Sequence, residues 1–375
     1  MPTVLRSIAT GNPPLKRSQD YAAAFMKRVK SLPGPISNRI DTLYGRSSID
    51  FRYSCIADYG VEPEDFEFFP KNWSLEPQPT TGQRNELYRK QVLPLAESVA
   101  RDAIEQAGLQ AEDITHVVAV SCTGFFAPGI DIELVKRLGL PASTQRTMIG
   151  FMGCYAAFNG MRVADSFCRS MPGANVLLVC AELCTLHFRV SDSMEHAVIN
   201  SLFSDGAAAA VFSSEASDAV VGELEYVASH CQLDDDSMEY MTWDIGDHGF
   251  DMGLSARVPS VLARNLPGFI SELTSTAGLG RDDIGFWAVH PGGRSIVDKA
   301  QEVLNLSESD LHNSTEVLRL HGNMSSPTIL FVLARVLDQH RQSQKEGGRG
   351  FDAGVAVAFG PGLTLEGAAF RRVEA

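Results

Sequence analysis

Three residues of this chain are of the types that together carry acyl-transfer chemistry: Cys154, His290 and Asn323. A thiol can attack a thioester, an imidazole can hold or move a proton, and a carboxamide N–H can stabilise a developing oxyanion. The three residues are far apart in the chain, so only the fold can bring them together. The first hypothesis is that covalent acyl intermediates form on Cys154.

Cys154 follows two glycines, Gly150 and Gly153, and precedes the segment YAAFNGMRVADSFCRS, which has the period of a buried helix. A cysteine at a helix N-terminus gains thiolate character, because the helix dipole and the free amides favour negative charge there. Gly153 also allows the backbone to turn tightly into the helix. A lone cysteine among small apolar residues is, however, more often a packing residue.

The other candidate residues lie at the ends of apolar runs or in glycine-rich turns. His290 ends the run FWAV before Pro-Gly-Gly, and Asn323 precedes a long apolar helix. Sites of α/β proteins lie where strands end in loops, although a core histidine and an ordinary turn or N-cap asparagine fit equally well. Gly360, Pro361 and Gly362 predict a tight turn, either a plain hairpin or a loop that closes over the cysteine.

The elements that must position these residues alternate between strand and helix, which predicts an α/β sheet arrangement. A helical period runs over 85–106 and ends at Gly108. Residues 1–90 read as an irregular, helix-bearing start, and 258–278 read as helices. Strands are predicted at 114–120, 144–152, 175–182, 206–215, 220–228, 283–290 and near the C-terminus. The length favours two halves, 1–217 and 218–375.

Composition limits the function classes. The chain has 375 residues, a net charge of −14 and seven cysteines. The acidic excess argues against a general nucleic-acid or membrane-surface binder, since both need basic faces. Long apolar runs and paired cysteine spacings are missing from the sequence. We therefore expect a cytoplasmic protein with reduced thiols and no metal site.

Four segments in a fixed order, GCYAAFNGMRVA, VHPGG, GNMSSPTILFVL and FGPGLTLEG, resemble the signatures of type III polyketide synthases, the chalcone-synthase-like family. The resemblance runs from about residue 80 to residue 371. It implies a duplicated thiolase-like fold with five layers, αβαβα, and a homodimer. It also implies that Cys154 takes the acyl chain, held as a thiolate by an imidazolium at His290, with Asn323 completing the triad.

The resemblance further implies acyl-CoA and malonyl-CoA as substrates, with no metal and no redox cofactor. Phe203 matches the phenylalanine that separates the CoA tunnel from the cavity, and a second gatekeeper phenylalanine falls at Ala256. Arg52 matches a CoA-binding basic residue, although a family lysine position nearby reads Asp50. Arg52 fits a surface salt bridge equally well.

Three positions that line the family's cavity bear on the substrate: Cys122, Ala127 and Cys184. Their small size resembles bacterial alkylpyrone and alkylresorcinol synthases, in which a side tunnel accepts long acyl chains, although neutral drift would give the same residues. The expected starter is a medium- or long-chain fatty acyl group. Alternatives are a synthase that uses malonyl-CoA alone to make a tetrahydroxynaphthalene or phloroglucinol type of product, a single condensation of the ketoacyl-ACP synthase III kind, and a non-catalytic scaffold.

Overall fold

A computed structural model describes residues 2–215 and 222–373 of the chain. The predicted boundary between residues 217 and 218 lies outside these residues. The strands are β1 (Val4–Gly11), β2 (Leu15–Ser18), β3 (Phe51–Ser54), β4 (His116–Ser121), β5 (Gln145–Gly150), β6 (Asn175–Leu183), β7 (Asp205–Ser213), β8 (Leu224–Leu233), β9 (Met241–Gly246), β10 (Gly249–Leu254), β11 (Ile284–Val289), β12 (Ala353–Gly360) and β13 (Thr364–Arg372).

The helices cover and separate the strands. They are α1 (Gln19–Arg28), α2 (Gly34–Ser37), α3 (Ile40–Gly45), α4 (Thr81–Gln106), α5 (Ile130–Leu138), α6 (Ala156–Ser170), α7 (Met194–Leu202), α8 (Val258–Ala277), α9 (Arg294–Leu304), α10 (His312–His321) and α11 (Pro327–Lys345). None of the described helices is long and apolar enough to cross a membrane.

The main sheet repeats one pairing pattern. In the first half, β1 pairs antiparallel with β7, β7 antiparallel with β6, and β6 parallel with β4. In the second half, β8 pairs antiparallel with β13, β13 antiparallel with β12, and β12 parallel with β11. The halves meet where Val4 and Leu5 of β1 pair with β8. β5 continues the first half beside β4 and forms one edge of the sheet.

The described residues pack in five layers. α4 and α5 cover the outer face of the first half, and α8 and α9 cover the outer face of the second. α6 and α11 lie between the two halves. Strand residues alternate between these cores, so Val117 of β4 packs against α4 whereas Val118 faces the central layer. The expected αβαβα arrangement is confirmed.

Most strands and helices lie where the sequence predicts them, but the start of the chain does not. β1 is a central strand, because Val4, Leu5 and Ile8 are buried and because Val4 and Leu5 pair with strands on both sides. The prediction of an irregular start is therefore wrong for these residues. Residues 258–277 form one helix rather than several, and Pro267 lies inside it.

Candidate active site

Cys154 stands at the start of α6, in a single 3-10 turn, Gly153–Tyr155, that follows β5. The backbone adopts the left-handed region at Phe151 (φ 57°) and at Gly153 (φ 73°). A β-carbon at Gly153 would lie 2.5 Å from Pro361 Cδ. Glycine is therefore needed both for the conformation and for the close approach. The Gly-Pro-Gly loop packs directly against the turn that carries the cysteine.

His290 and Asn323 line the same cavity as Cys154. His290 directly follows β11, and its backbone N–H donates to Val357 O at 2.8 Å. Asn323 follows α10 after Gly322, whose positive φ of 70° ends that helix. Both side chains are buried. The structure thus brings together the three residues that the sequence singled out.

The donors of this pocket differ in how firmly they are held. The Asn323 carboxamide donates to Gly292 O at 3.1 Å and accepts the Ser325 N–H at 2.8 Å, which fixes its plane. Neither ring nitrogen of His290 has a hydrogen-bond partner within the described residues. Buried polar groups are normally hydrogen-bonded, so an unsatisfied one in a cavity marks a place for a ligand.

Burial dominates the electrostatics of the pocket. It raises the pKa of the Cys154 thiol to about 11, although hydrogen bonds from Ser325 and Asn323 act in the opposite direction. It lowers the pKa of His290 to about 3. Each group resists carrying a charge alone, so a thiolate at Cys154 requires the proton to move to His290 and the two charges to form as a pair.

A buried carboxylate behind the pocket, Glu182, was missed by the sequence analysis. It accepts the Cys122 N–H at 3.0 Å and the hydroxyls of Thr123 and Ser326, both at 2.7 Å. Burial raises the pKa of Glu182, and its proximity adds to the raised pKa of Cys154. It lies near the end of β6, and a lone glutamate in an apolar strand gives no signal in the sequence.

Two cavities meet at Cys154. The outer cavity contains His290 and Asn323 and is bounded by α7, residues 254–259 and the start of α9. The inner cavity runs from Cys154 to α1 and holds about 1220 Å³ of space free of protein atoms, counting its open ends. Much of its wall is apolar or aromatic, with contributions from Leu15, Ala22, Phe25, Met26, Tyr59, Phe188 and Ile199.

Phe203 borders both cavities, together with Met241 and Met252. Ala256, where the sequence places the second gatekeeper, lines the outer cavity but not the inner one, and it is exposed. Met252 of β10, rather than Ala256, therefore shares with Phe203 a place between the two cavities. The sequence match missed it because the segment after β10 offers no landmark that fixes its alignment.

Of the three predicted cavity residues, Cys122 and Cys184 line the inner cavity. Ala127 does not, because it is exposed on the loop after β4 and lies outside both cavities. Two unpredicted residues shape the wall instead. His187 donates from Nε2 to Thr123 O, and its Nδ1 accepts the Phe250 N–H. Trp243 Nε1 donates to Cys122 O at 2.7 Å.

Arg52 is held by hydrogen bonds within the chain. It lines the inner cavity, and its Nη1 donates to Asn200 O at 2.7 Å and to Phe203 O at 3.0 Å. Asp50, at the position of the family lysine, pairs with Arg319 at 2.5 Å. These hydrogen bonds argue against a surface salt bridge at Arg52, and its contact with CoA stays a prediction.

Known proteins share both the sequence and this geometry. Residues 2–216 match the family described as chalcone and stilbene synthases, N-terminal domain, and residues 225–374 match its C-terminal domain. The chain belongs to this family. Its members are type III polyketide synthases, which are acyl-transferring enzymes. The two matches together cover nearly all of the chain.

Individual relatives agree. Alpha-pyrone synthesis polyketide synthase-like Pks18 of Mycobacterium tuberculosis is 33% identical over 98% of this chain and 90% of its own length. Polyketide synthase 37 of Dictyostelium discoideum is 33% identical over 100% of this chain, which spans 12% of that protein. The crystal structure of PKS-I from the brown alga Ectocarpus siliculosus matches with a TM-score of 0.94 and 37% identity, covering 99% of this chain and 98% of that one.

Proposed function

We propose that this enzyme loads a medium- or long-chain fatty acyl group from CoA onto Cys154, extends it with malonyl-CoA and cyclises the product to an alkylpyrone or alkylresorcinol. The observation that carries the proposal is the largely apolar inner cavity, which begins at the nucleophile and reaches α1. An alkyl tail in such a wall gains up to about 0.8 kcal/mol per buried methylene.

In the loading step, the Cys154 sulfur attacks the thioester carbonyl while its proton passes to His290. The C–S bond to CoA breaks, and the departing CoA thiolate takes up a proton, so that the acyl group is now a thioester of Cys154. The raised pKa of the cysteine supports this coupling, because the thiol ionises in this pocket only when its proton has an acceptor.

In the extension step, malonyl-CoA occupies the outer cavity and loses CO₂. The resulting enolate oxygen lies between His290 and the Asn323 carboxamide, whose N–H groups stabilise the negative charge. The enolate carbon attacks the Cys154 thioester, the C–S bond breaks, and the lengthened chain returns to the cysteine for the next round. The proposed cycle uses neither a metal nor a redox cofactor.

A homodimer is proposed through the β5 edge. The edge strand offers free backbone groups, and large apolar side chains around it are exposed, as in interfaces. They are Phe125, Met148, Phe151 and Met152. Ala127 is exposed two residues after Phe125, which supports a role at the interface rather than in the cavity of its own chain.

The cytoplasm is the proposed compartment. All seven cysteines, three of which line the cavities at the candidate site, are free thiols in the structure. Free, unpaired cysteines are typical of proteins kept in a reducing environment.

Product analysis by liquid chromatography and mass spectrometry tests this proposal. Purified enzyme receives malonyl-CoA with acetyl-, hexanoyl-, lauroyl- or palmitoyl-CoA, with and without an acyl carrier protein. The proposal expects pyrones or resorcinols that contain the lauroyl or palmitoyl chain. Products from malonyl-CoA alone would replace it with the hydroxylated-aromatic alternative, and a single condensation that requires the carrier protein would overturn it.

A further inference from the structure

The carboxyl end of α7 carries carbonyls that no residue within the helix can satisfy. Phe203 caps the helix by donating its N–H to Ile199 O at 3.3 Å. The carbonyls of residues 200–203 are left for partners from other parts of the chain. The last of them belongs to the aromatic residue that borders both cavities, so whatever binds these carbonyls also fixes that ring.

Arg52 of β3 binds two of these four carbonyls. Its Nη1 donates to Asn200 O at 2.7 Å and to Phe203 O at 3.0 Å, while its Nε donates to Gln19 Oε1 at 2.8 Å. Gln19, thus oriented, donates from Nε2 to Ser201 O at 2.8 Å. One guanidinium and one amide therefore hold three of the four carbonyls. A cation is also favoured at this negative end of the helix dipole.

The fourth carbonyl connects this cap to the catalytic residues. Leu202 O accepts the Asn323 N–H at 3.0 Å, and the Asn323 carbonyl accepts the Ser204 N–H at 2.8 Å. The bridge joins the backbone on both sides of Phe203 to Asn323. Displacing the end of α7 would therefore move the Phe203 ring and the Asn323 carboxamide together.

We propose that Arg52 is a positioning residue that sets the Phe203 ring between the two cavities and, through the backbone bridge, the Asn323 carboxamide. The inference goes beyond the proposed function and uses it only for the activity assay. It also replaces the role in CoA binding that the sequence indicates for Arg52.

The geometry requires a guanidinium. Arg52 directs two N–H groups of Nη1 to two carbonyls and the Nε N–H to a third group, in one plane. A lysine ammonium at the same position carries the charge on one atom and cannot reproduce this planar fork. Arg52→Lys should therefore recover only part of the activity that Arg52→Gln loses.

The test compares wild type, Arg52→Gln and Arg52→Lys with CoA thioesters and with pantetheine thioesters, which lack the nucleotide and its phosphates. Arg101→Gln is the matched control, since Arg101 forms an exposed helical ion pair with Glu97. Circular dichroism and thermal melting confirm folding. If Arg52→Gln does not fold, Arg52→Lys carries the same comparison. Hydrogen exchange is measured for residues 199–204 and 322–325.

We expect Arg52→Gln to lower kcat by roughly 10- to 100-fold, because misplaced catalytic groups have effects of this size. The factor should be the same with CoA thioesters and with pantetheine thioesters. Exchange should rise in both segments. A loss confined to KM for the CoA thioesters would overturn the inference in favour of phosphate binding. Unchanged exchange would overturn it whether or not the enzyme is active. Wild-type enzyme that makes no polyketide from either carrier would count against the proposed function instead.

Discussion

Replacing His290 by glutamine tests how the nucleophile becomes ionised. Burial raises the pKa of Cys154 to about 11, so without a proton acceptor only about 1 thiol in 10⁴ is ionised at pH 7. Burial also lowers the pKa of His290 to about 3, so transfer of the thiol proton to this imidazole costs about 11 kcal/mol, which the attraction within the charge pair must offset. Alkylation of Cys154 in His290→Gln should therefore be up to about 10⁴-fold slower than in wild type at pH 7.

The pH dependence of the labelling rate shows the direction in which the pKa of Cys154 is shifted. The pKa of Cys154 is raised, so its thiolate fraction in His290→Gln should rise about tenfold per pH unit below pH 11. The assay is iodoacetamide labelling at several pH values, with Cys154 quantified by peptide mass spectrometry. Cys231 is an internal reference, since it is exposed and its labelling should be the same in the variant and in wild type at each pH. Labelling of the variant as fast as wild type at pH 7, or independent of pH, would show that Cys154 does not depend on His290 for its ionisation.

Three further substitutions test the remaining parts of the account. Cys184→Phe fills part of the inner cavity, so it should reduce the turnover of palmitoyl-CoA by roughly fourfold for each methylene displaced and leave the turnover of acetyl-CoA unchanged. Cys184→Ser is the control and should keep the wild-type preference between these substrates. Gly153→Ala should lower the free energy of unfolding by about 1–2 kcal/mol and abolish acylation, because the new β-carbon would meet Pro361. Gly139→Ala is the control: Gly139 has the same left-handed backbone but open space around it, so this variant should lose stability and keep acylation. Light scattering should show that Met148→Lys is monomeric. Met171 is exposed outside β5, so Met171→Lys should remain dimeric. A dimeric Met148→Lys would exclude the β5 interface.

Much of the fold follows from the sequence, because buried strands and helices leave clear periods. β6 and β7 are recognisable as unbroken apolar runs. β1 escapes this reading because Arg6 and Ser7 interrupt its apolar residues, although both are buried and Arg6 pairs with Glu223 at 3.3 Å. A buried ion pair between distant residues cannot be recognised from either residue alone.

Some residues of the candidate site could be predicted from the sequence, and others could not. Cys154, His290 and Asn323 could be selected because glycine-rich turns mark the ends of strands and helices, where such residues meet. The surroundings of Arg52 could not be predicted, since a surface cation and an interior helix cap have the same residue type. Met252 depended on an alignment through a segment without distinctive residues. Distances in space, not spacing in the chain, decide both.

The most direct test of the central claim is intact-protein and peptide mass spectrometry after brief incubation with palmitoyl-CoA alone. The account predicts one palmitoyl group per chain, located on Cys154, and none on the Cys154→Ala variant. Acylation by acetyl-CoA but not by palmitoyl-CoA, or attachment to another residue, would contradict the assignment of Cys154 as the nucleophile that presents a long acyl chain to the inner cavity.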